Sequence, residues 1–384
     1  MSLTLADDER YCFTVEWYEE MAARVRQFQF FYFVKAQSIE MYDIKNRKMF
    51  LRTSVKENNI SPADLYLGNS INVCGRLLNI VDYGDDYTRR KLSAKKERTL
   101  GMIKPDAVDK LGQILDKICQ KGFLISRLRM CRMNRNQALS FYQEHQSKPF
   151  LNALLDYVTS GPVVTFEIVG ENAVGAWREA IGPTDPSAAR KTAPTSIRAQ
   201  YGQDVTFNAV HGSSDPGAAA REIEFFFPSS GPVPPNTARV GNCTCCIIKP
   251  SAVKAGMAGK IISAITEAGF QVGATQMFTL EKANAEEFLE VYKGVVHEYS
   301  AMVVELTSGP CLVLEICAPE GSPPVAPAFR ELAGPTDPEI ARHLRPRTLR
   351  ALFGSDKIKN AIHCTDLPDD GQLEVEYFFR ILDR

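Results

Sequence analysis

The 384 residues exceed one typical domain and carry 45 basic against 46 acidic side chains, a formal net charge of −1. Length therefore predicts two or three globular units, and the charge supplies no field to draw in nucleic acid or an anionic membrane. Hydrophobic residues at 45% and charged residues at 24% exclude a disordered chain, and no apolar run approaches the roughly 18 residues of a membrane span. The start MSLTLADDER lacks the basic-then-apolar pattern of a secretory leader, so an intracellular protein with its ten cysteines reduced is expected.

Residues 1–93 hold 14 of the 36 aromatic residues, including FQFFYF (28–33). With alternation in YCFTVEW (11–17) and INVCGRLLNIV (71–81), this predicts a small antiparallel β domain of PH-like type. KLSAKKER (91–98) reads as a charged connector. From residue 94 the chain repeats itself. LGQILDKICQKGF (111–123) recurs as AGKIISAITEAGF (258–270), one amphipathic helix ended by a Gly. TLGMIKP (99–105) answers TCCIIKP (244–250), and TSGPVVTFEI (159–168) answers TSGPCLVLEI (307–316), each containing a buried strand. GPTDP occurs at 182–186 and 334–338, and SIRAQYG and NAVHGS (208–213) return as TLRALFG and NAIHCT (360–365). PSSGPVPPNTARVGN (228–242) suits an extended linker. The expected division is 1–93, 94–228, a linker at 229–242, and 243–384.

Two of only five histidines, His211 and His363, fall at equivalent places, each three residues after an Asn and eleven before a Glu (Glu222, Glu374). A neutral imidazole can act as a covalent nucleophile when a carboxylate holds its other nitrogen. The alternative for such a histidine is a core residue bonded to a backbone carbonyl. The copies also share cations and hydroxyls: Lys104, Arg178, Thr184 and Arg198, then Lys249, Arg330, Thr336 and Arg350. Arginine forks and lysine point charges suit phosphate oxygens, and with no GxxxxGK[ST] motif the cradle must come from side chains. Cys243, Cys245 and Cys246 cluster without a second ligand pair at zinc spacing, so no metal site is expected.

IKPDAV (103–108), SKPF (147–150) and NAVHGS (208–213) together resemble nucleoside diphosphate kinases, over most of the first copy and more weakly in the second. Residues 1–93 are similar to a domain of ciliary microtubule-associated proteins. The resemblance implies an α+β chain: two tandem ferredoxin-like (βαββαβ) kinase domains after the β domain, with ping-pong transfer from NTP to NDP through a phosphohistidine. It makes His211 the phosphorylated residue, Glu222 its orienting partner, Ser213 a hydroxyl in the same network, and Tyr142 the tyrosine close to the histidine. Lys104 and Asn208 would contact sugar and phosphate, and Arg178, Thr184 and Arg198 would hold phosphates. Phe150 would stack on the base, with Leu154 also at the nucleotide. Mg²⁺ would arrive with the nucleotide, without a carboxylate cage. The resemblance also implies tubulin or microtubule-associated ciliary partners, and a place in cytoplasm and cytoskeleton, axoneme or centrosome. Simple family members form dimers and hexamers, and a tandem pair can satisfy one such interface within a chain.

The second copy keeps Lys249, Arg330, Thr336, Arg350, Asn360 and His363, but HEYS puts Ser300 where the stacking Phe belongs. HGS becomes His363-Cys364-Thr365. If the family's Gly adopts a positive φ, a side chain there costs about 1–2 kcal/mol. A weak or inactive second site is therefore expected. The first copy has a few residues more than short family members between Pro186 and Arg198, in a region that covers the phosphates. The rival reading is a structural, axonemal microtubule-associated protein that uses the kinase fold as a scaffold with little catalysis. A nucleic-acid-binding role is weaker, for want of net positive charge.

Overall fold

The computed structural model describes residues 9–19, 22–58, 60–93, 97–228, 231–319 and 321–383. The chain divides into two compact units, one of Met1–Lys96 with Thr279–Gly309 and the other of Glu97–Phe278 with Pro310–Arg384. Parts of the sequence-predicted connector (94–96) and linker (229–230) lie outside the described residues.

The first unit contains a six-stranded antiparallel sheet of β1 (Arg10–Glu19), β2 (Arg24–Phe33), β3 (Ser38–Asp43), β4 (Lys48–Ser54), β5 (Ser70–Val73) and β6 (Arg76–Tyr83), in the order β4-β3-β2-β1-β6-β5. The period-two rule selects its core: Phe28, Phe30 and Tyr32 of the aromatic run are buried with Phe13, Val15, Ile39 and Met41. The run 71–81, read from sequence as one alternating stretch, is a hairpin. Cys74 and Gly75 have φ 49° and 77°, which is the positive-φ pair of a tight two-residue turn. The connector is shorter than expected, because Lys91 and Leu92 end the helix Asp86–Leu92 and Glu97 opens the next strand.

In the second unit each copy is a βαββαβ fold. The first copy runs β7 (Glu97–Ile103), helix Leu111–Gln120, β8 (Leu124–Cys131), β9 (Val163–Gly170), helix Ala173–Ile181 and β10 (Val210–Gly212), with helices Arg135–Phe141 and Leu151–Val158 inserted before β9. The second runs β11 (Cys243–Ile248), helix Ala258–Glu267, β12 (Gln271–Phe278), β13 (Cys311–Cys317), helix Val325–Ala333 and β14 (Ile362–Cys364). Strand order is β10-β7-β9-β8-β12-β13-β11-β14, so both copies follow fourth-first-third-second and meet edge to edge.

Gln276 of β12 pairs with Arg129 of β8. Helices Leu111–Gln120 and Ala258–Glu267 pack across the same junction, burying Ile114, Leu115 and Ile118 with Ile261, Ile262 and Ile265 in one core. Glycines permit the approach: a Cβ on Gly112 would stand 2.8 Å from the Gly259 carbonyl oxygen, and one on Gly259 2.6 Å from that of Gly112. The segment after the first copy straps this junction. Asn236 Nδ2 donates to the carbonyl of Phe379 at 2.8 Å, and the backbone N–H groups of Arg239 and Val240 donate to the buried Glu315 carboxylate.

Candidate active site

Strand β10 is three residues long and pairs His211 with Met102 of β7. The chain then turns at Asp215, whose carboxylate caps the helix Pro216–Phe226 by accepting from Ala218 N–H at 2.9 Å, with Pro216 in the first turn. This helix returns Glu222 to the strand. His211 Nε2 lies 2.9 Å from Glu222 Oε2, and the same oxygen accepts from Ser213 Oγ at 2.7 Å. Ser213 Oγ in turn accepts from Leu100 N–H at 3.3 Å. A carboxylate at Nε2 selects the tautomer with its proton there and leaves the lone pair on Nδ1, the state a nucleophilic imidazole needs.

The ring faces a cavity of about 550 Å³. Of the sequence-predicted residues, Lys104, Tyr142, Phe150, Leu154, Thr184, Arg198, Asn208, His211 and Glu222 line it. Ser213 is fully buried and does not line it; nor does Arg178, which donates to the carbonyl of Ser214 at 3.1 Å. Lys104 Nζ donates to Asn208 Oδ1 at 2.7 Å, and Asn208 Nδ2 donates to the carbonyls of Thr184 and Val205. Arg198 donates to the carbonyls of Gly182 and Val210.

Burial lowers Lys104 to about 8, with the Arg198 charge adding to the effect and Asp106 opposing it. Burial likewise lowers Arg198 to about 10, helped by Arg178. Cations gathered this closely repel one another and favour an anionic guest. Tyr142 is buried, and its phenol is pushed up by burial and then by the Glu222 charge. Its OH and the Nε of Arg198 have no hydrogen-bond partner among the described residues. Such buried orphans are uncommon unless a ligand or water completes them.

Three residues of the site escaped the sequence reading. Phe141 sets its ring edge-on to His211 at 5.4 Å between centroids. Trp177 donates from Nε1 to the His211 carbonyl at 3.3 Å. Val205, 60% exposed, lines the cavity together with Phe150, 51% exposed. Trp177, one of two tryptophans and adjacent to Arg178, carried the only usable signal.

The second copy repeats the histidine network. His363 Nε2 lies 3.0 Å from Glu374 Oε2, Thr365 Oγ1 donates to that oxygen at 2.8 Å, and Cys245 N–H donates to Thr365 Oγ1 at 3.1 Å. The expected backbone strain at Cys364 does not arise. Gly212 is not among the positive-φ glycines, and both residues sit in strands, Gly212 opposite Gly101 and Cys364 opposite Cys246. What keeps position 212 small is packing: a Cβ there would stand 2.6 Å from the Trp177 ring and 3.1 Å from Ile181. The second copy has Phe329 and Ala333 at those places, which makes room for Cys364.

Its cations differ more. Arg330 Nη1 is 2.8 Å from the Asp366 carboxylate, where the first copy has Ser214. Lys249 Nζ donates to the Ile358 carbonyl at 2.8 Å, while the buried Asn360 Oδ1 lacks a partner among the described residues. Arg350 donates to the Gly334 carbonyl at 2.8 Å, and Asn360 Nδ2 to that of Thr336 at 3.0 Å.

The family model for nucleoside diphosphate kinase matches residues 97–231 and 242–383. "Nucleoside diphosphate kinase homolog 7" of Rattus norvegicus is 52% identical over 376 residues, 98% of this chain and 94% of that protein. The Mus musculus protein of the same name is 51% identical with the same coverage. "Nucleoside diphosphate kinase" of Aquifex aeolicus is 49% identical over 133 residues, 34% of this chain and 94% of that protein. The chain thus belongs to the nucleoside diphosphate kinase family and carries two segments of its fold.

Proposed function

We propose that the first copy transfers the terminal phosphate of a nucleoside triphosphate to Nδ1 of His211 and from there to a nucleoside diphosphate. In the first half the terminal P–O bond breaks as the N–P bond forms, and the diphosphate leaves. The second half runs the same step backwards onto a different diphosphate. The observation that carries this reading is the His211–Glu222 contact of 2.9 Å at a cavity lined by Lys104, Thr184, Arg198 and Asn208. Glu222 orients the ring and stabilises the cation formed on phosphorylation. Lys104 and Arg198 offset the charge spread over the phosphoryl oxygens, and the Tyr142 OH is available as a further donor. Phe150 and Val205 offer the base apolar surface without reading its edges, which suits any nucleobase.

Mg²⁺ enters on the polyphosphate as part of the substrate. Among the described residues no group of three or more His, Cys, Asp or Glu is placed to hold a metal ion. The second copy is weak or inactive in this reading, because Asp366 competes with phosphate for Arg330 and an aromatic face is missing. The residue matching Phe150 is Glu298 and not the expected Ser300: Phe150 directly precedes helix Leu151–Val158 as Glu298 precedes Tyr299–Leu306, the second copy having one residue more before that helix. Transfer from ATP to GDP by the full chain tests the assignment, alongside His211→Ala and His363→Ala. Loss with His211→Ala alone supports it, and undiminished turnover in His211→Ala overturns it.

The resemblance of residues 1–93 to a ciliary domain supports a second role, binding tubulin or other microtubule proteins. Tyr18 and Val25, opposite each other on β1 and β2, are 50% and 57% exposed, and Met49 on β4 is 50% exposed. Exposed apolar side chains such as the Tyr18–Val25 pair are the candidates for such a surface. Cosedimentation of the full chain with microtubules tests this, and equal binding by a Tyr18→Ser/Val25→Ser/Met49→Ser variant would remove the surface from the account.

A further inference from the structure

His211 stands two residues after a backbone feature that the catalytic reading leaves unexplained. Ala209 has φ 66°, and Val210 N–H donates to the Asn208 carbonyl at 2.8 Å. This is a γ-turn of the rare, strained kind, in a conformation L side chains seldom adopt. Such turns persist only where their surroundings hold them. The second copy keeps it: Ala361 has φ 70°, with Ile362 N–H donating to Asn360 at 2.9 Å.

The restraint comes from two residues that do not line the cavity. Asp106 Oδ2 accepts from Ala209 N–H at 3.1 Å, and Asp106 Oδ1 accepts from the Tyr157 OH. Lys104 N–H donates to the Ala209 carbonyl at 2.8 Å, closing the turn from its other side. Tyr157 is itself fixed. Its ring meets Phe207 edge-on at 4.5 Å and lies under the Lys104 ammonium at 5.8 Å. It sits on the helix Leu151–Val158, which also carries the cavity-lining Leu154. At the aligned positions the second copy has Ser251 and Glu305, so hydroxyl and carboxylate exchange places while both chemical types are retained.

We propose that Asp106 and Tyr157 form a positioning pair that holds the strained turn at Ala209 and so aims His211. The proposal rests on the kinase reading for its catalytic consequence and on the turn geometry for its structural one. Neither residue lines the cavity, so the pair acts on the chemical step more than on binding.

The test uses the full chain with Tyr157→Phe, Asp106→Ala and Asp106→Asn. It measures the single-turnover rate of His211 phosphorylation by ATP, the dissociation constant for ADP, and hydrogen exchange of the Ala209 amide. Asparagine can accept from Ala209 with Oδ1 and donate to the Tyr157 oxygen with Nδ2, so it serves as the conservative rescue. The expected result is a fall of about tenfold for Tyr157→Phe and about a hundredfold for Asp106→Ala, with Asp106→Asn and ADP affinity within about threefold of wild type. Ala209 exchange should accelerate by about tenfold in the two disruptive variants.

Phosphorylation at the wild-type rate in Tyr157→Phe, or unchanged Ala209 exchange, overturns the proposal. If Asp106→Ala does not fold, Tyr157→Phe carries the test alone. If the wild type forms no phosphohistidine, the kinase reading fails. The exchange rates then decide the positioning claim by themselves, faster exchange upholding it and unchanged exchange overturning it.

Discussion

The two copies place a histidine, a carboxylate and a hydroxyl in nearly the same relation, 2.9 and 2.7 Å in the first and 3.0 and 2.8 Å in the second. They differ in what surrounds that triad. The first copy gathers cations around an open cavity and leaves the Tyr142 OH without a partner among the described residues, whereas the second sets a carboxylate on Arg330. The orienting network is thus part of the fold's own packing and survives in both, while the charges around it differ, Arg330 carrying a carboxylate where Arg178 meets only a backbone carbonyl. Under the proposed function a retained histidine is weak evidence of retained transfer, and the arginine's partner is the better guide.

The largest effect that sharpens this contrast comes from the orienting carboxylates. Glu222→Ala frees the His211 ring to rotate and change tautomer, and should lower ATP-to-GDP turnover by about a hundredfold or more. Glu374→Ala should leave turnover of the full chain within about twofold, because the second copy contributes little of it in this account. Steady-state rates of the two variants check both, and equal losses would break the distinction between the copies.

Phe150→Ser removes the aromatic face that the second copy also lacks, where Glu298 precedes the matching helix. A lost base stack costs about 1–3 kcal/mol, so ADP should bind roughly ten- to a hundredfold more weakly, with the saturated rate within about threefold of wild type. Calorimetric titration of ADP beside the kinetics checks it. A fall in the saturated rate alone, with ADP affinity unchanged, would contradict base stacking by Phe150.

Packing around position 212 can be exchanged in the same spirit. Gly212→Cys forces a side chain against Trp177 and should destabilise the chain by about 1–3 kcal/mol. Gly212→Cys with Trp177→Phe should recover part of that, following the second copy's Phe329 and Cys364. Urea unfolding monitored by circular dichroism checks the pair, and additive losses would contradict the packing account.

The smallest effect is on pH. Lys104 is lowered from 10.5 to about 8 in the folded, nucleotide-free chain. Between those values the unfolded chain binds a proton that the folded chain has lost, so this residue's contribution to stability rises with pH across the window. Loss of the same charge weakens phosphate binding as pH rises through about 8. Stability and ADP affinity should therefore move in opposite directions there, and Lys104→Met should remove both trends.

Much of this architecture was legible because it rests on local signals. The helices Leu111–Gln120 and Ala258–Glu267 announce themselves through apolar spacing and a closing glycine, and Gly122 and Gly269 do adopt φ 80° and 91°. Asp215 and Pro216 likewise mark the start of the helix that brings Glu222 back. The hairpin at Cys74 and Gly75 was hidden inside an apolar run, though Gly75 was its trace. Tertiary contacts were not legible. Nothing in the sequence tells that Trp177 rather than backbone conformation keeps position 212 small, or that Asp366 meets Arg330 across 36 residues. The γ-turn at Ala209 was equally silent, because alanine carries no signal for positive φ.

The most direct test of the central claim is to map phosphohistidine on the full chain after brief reaction with γ-labelled ATP. The account predicts acid-labile label on the peptide containing His211, discharged by added GDP, with little on the peptide containing His363. Label equal on both histidines, or none on His211 while nucleotide still binds, would contradict it.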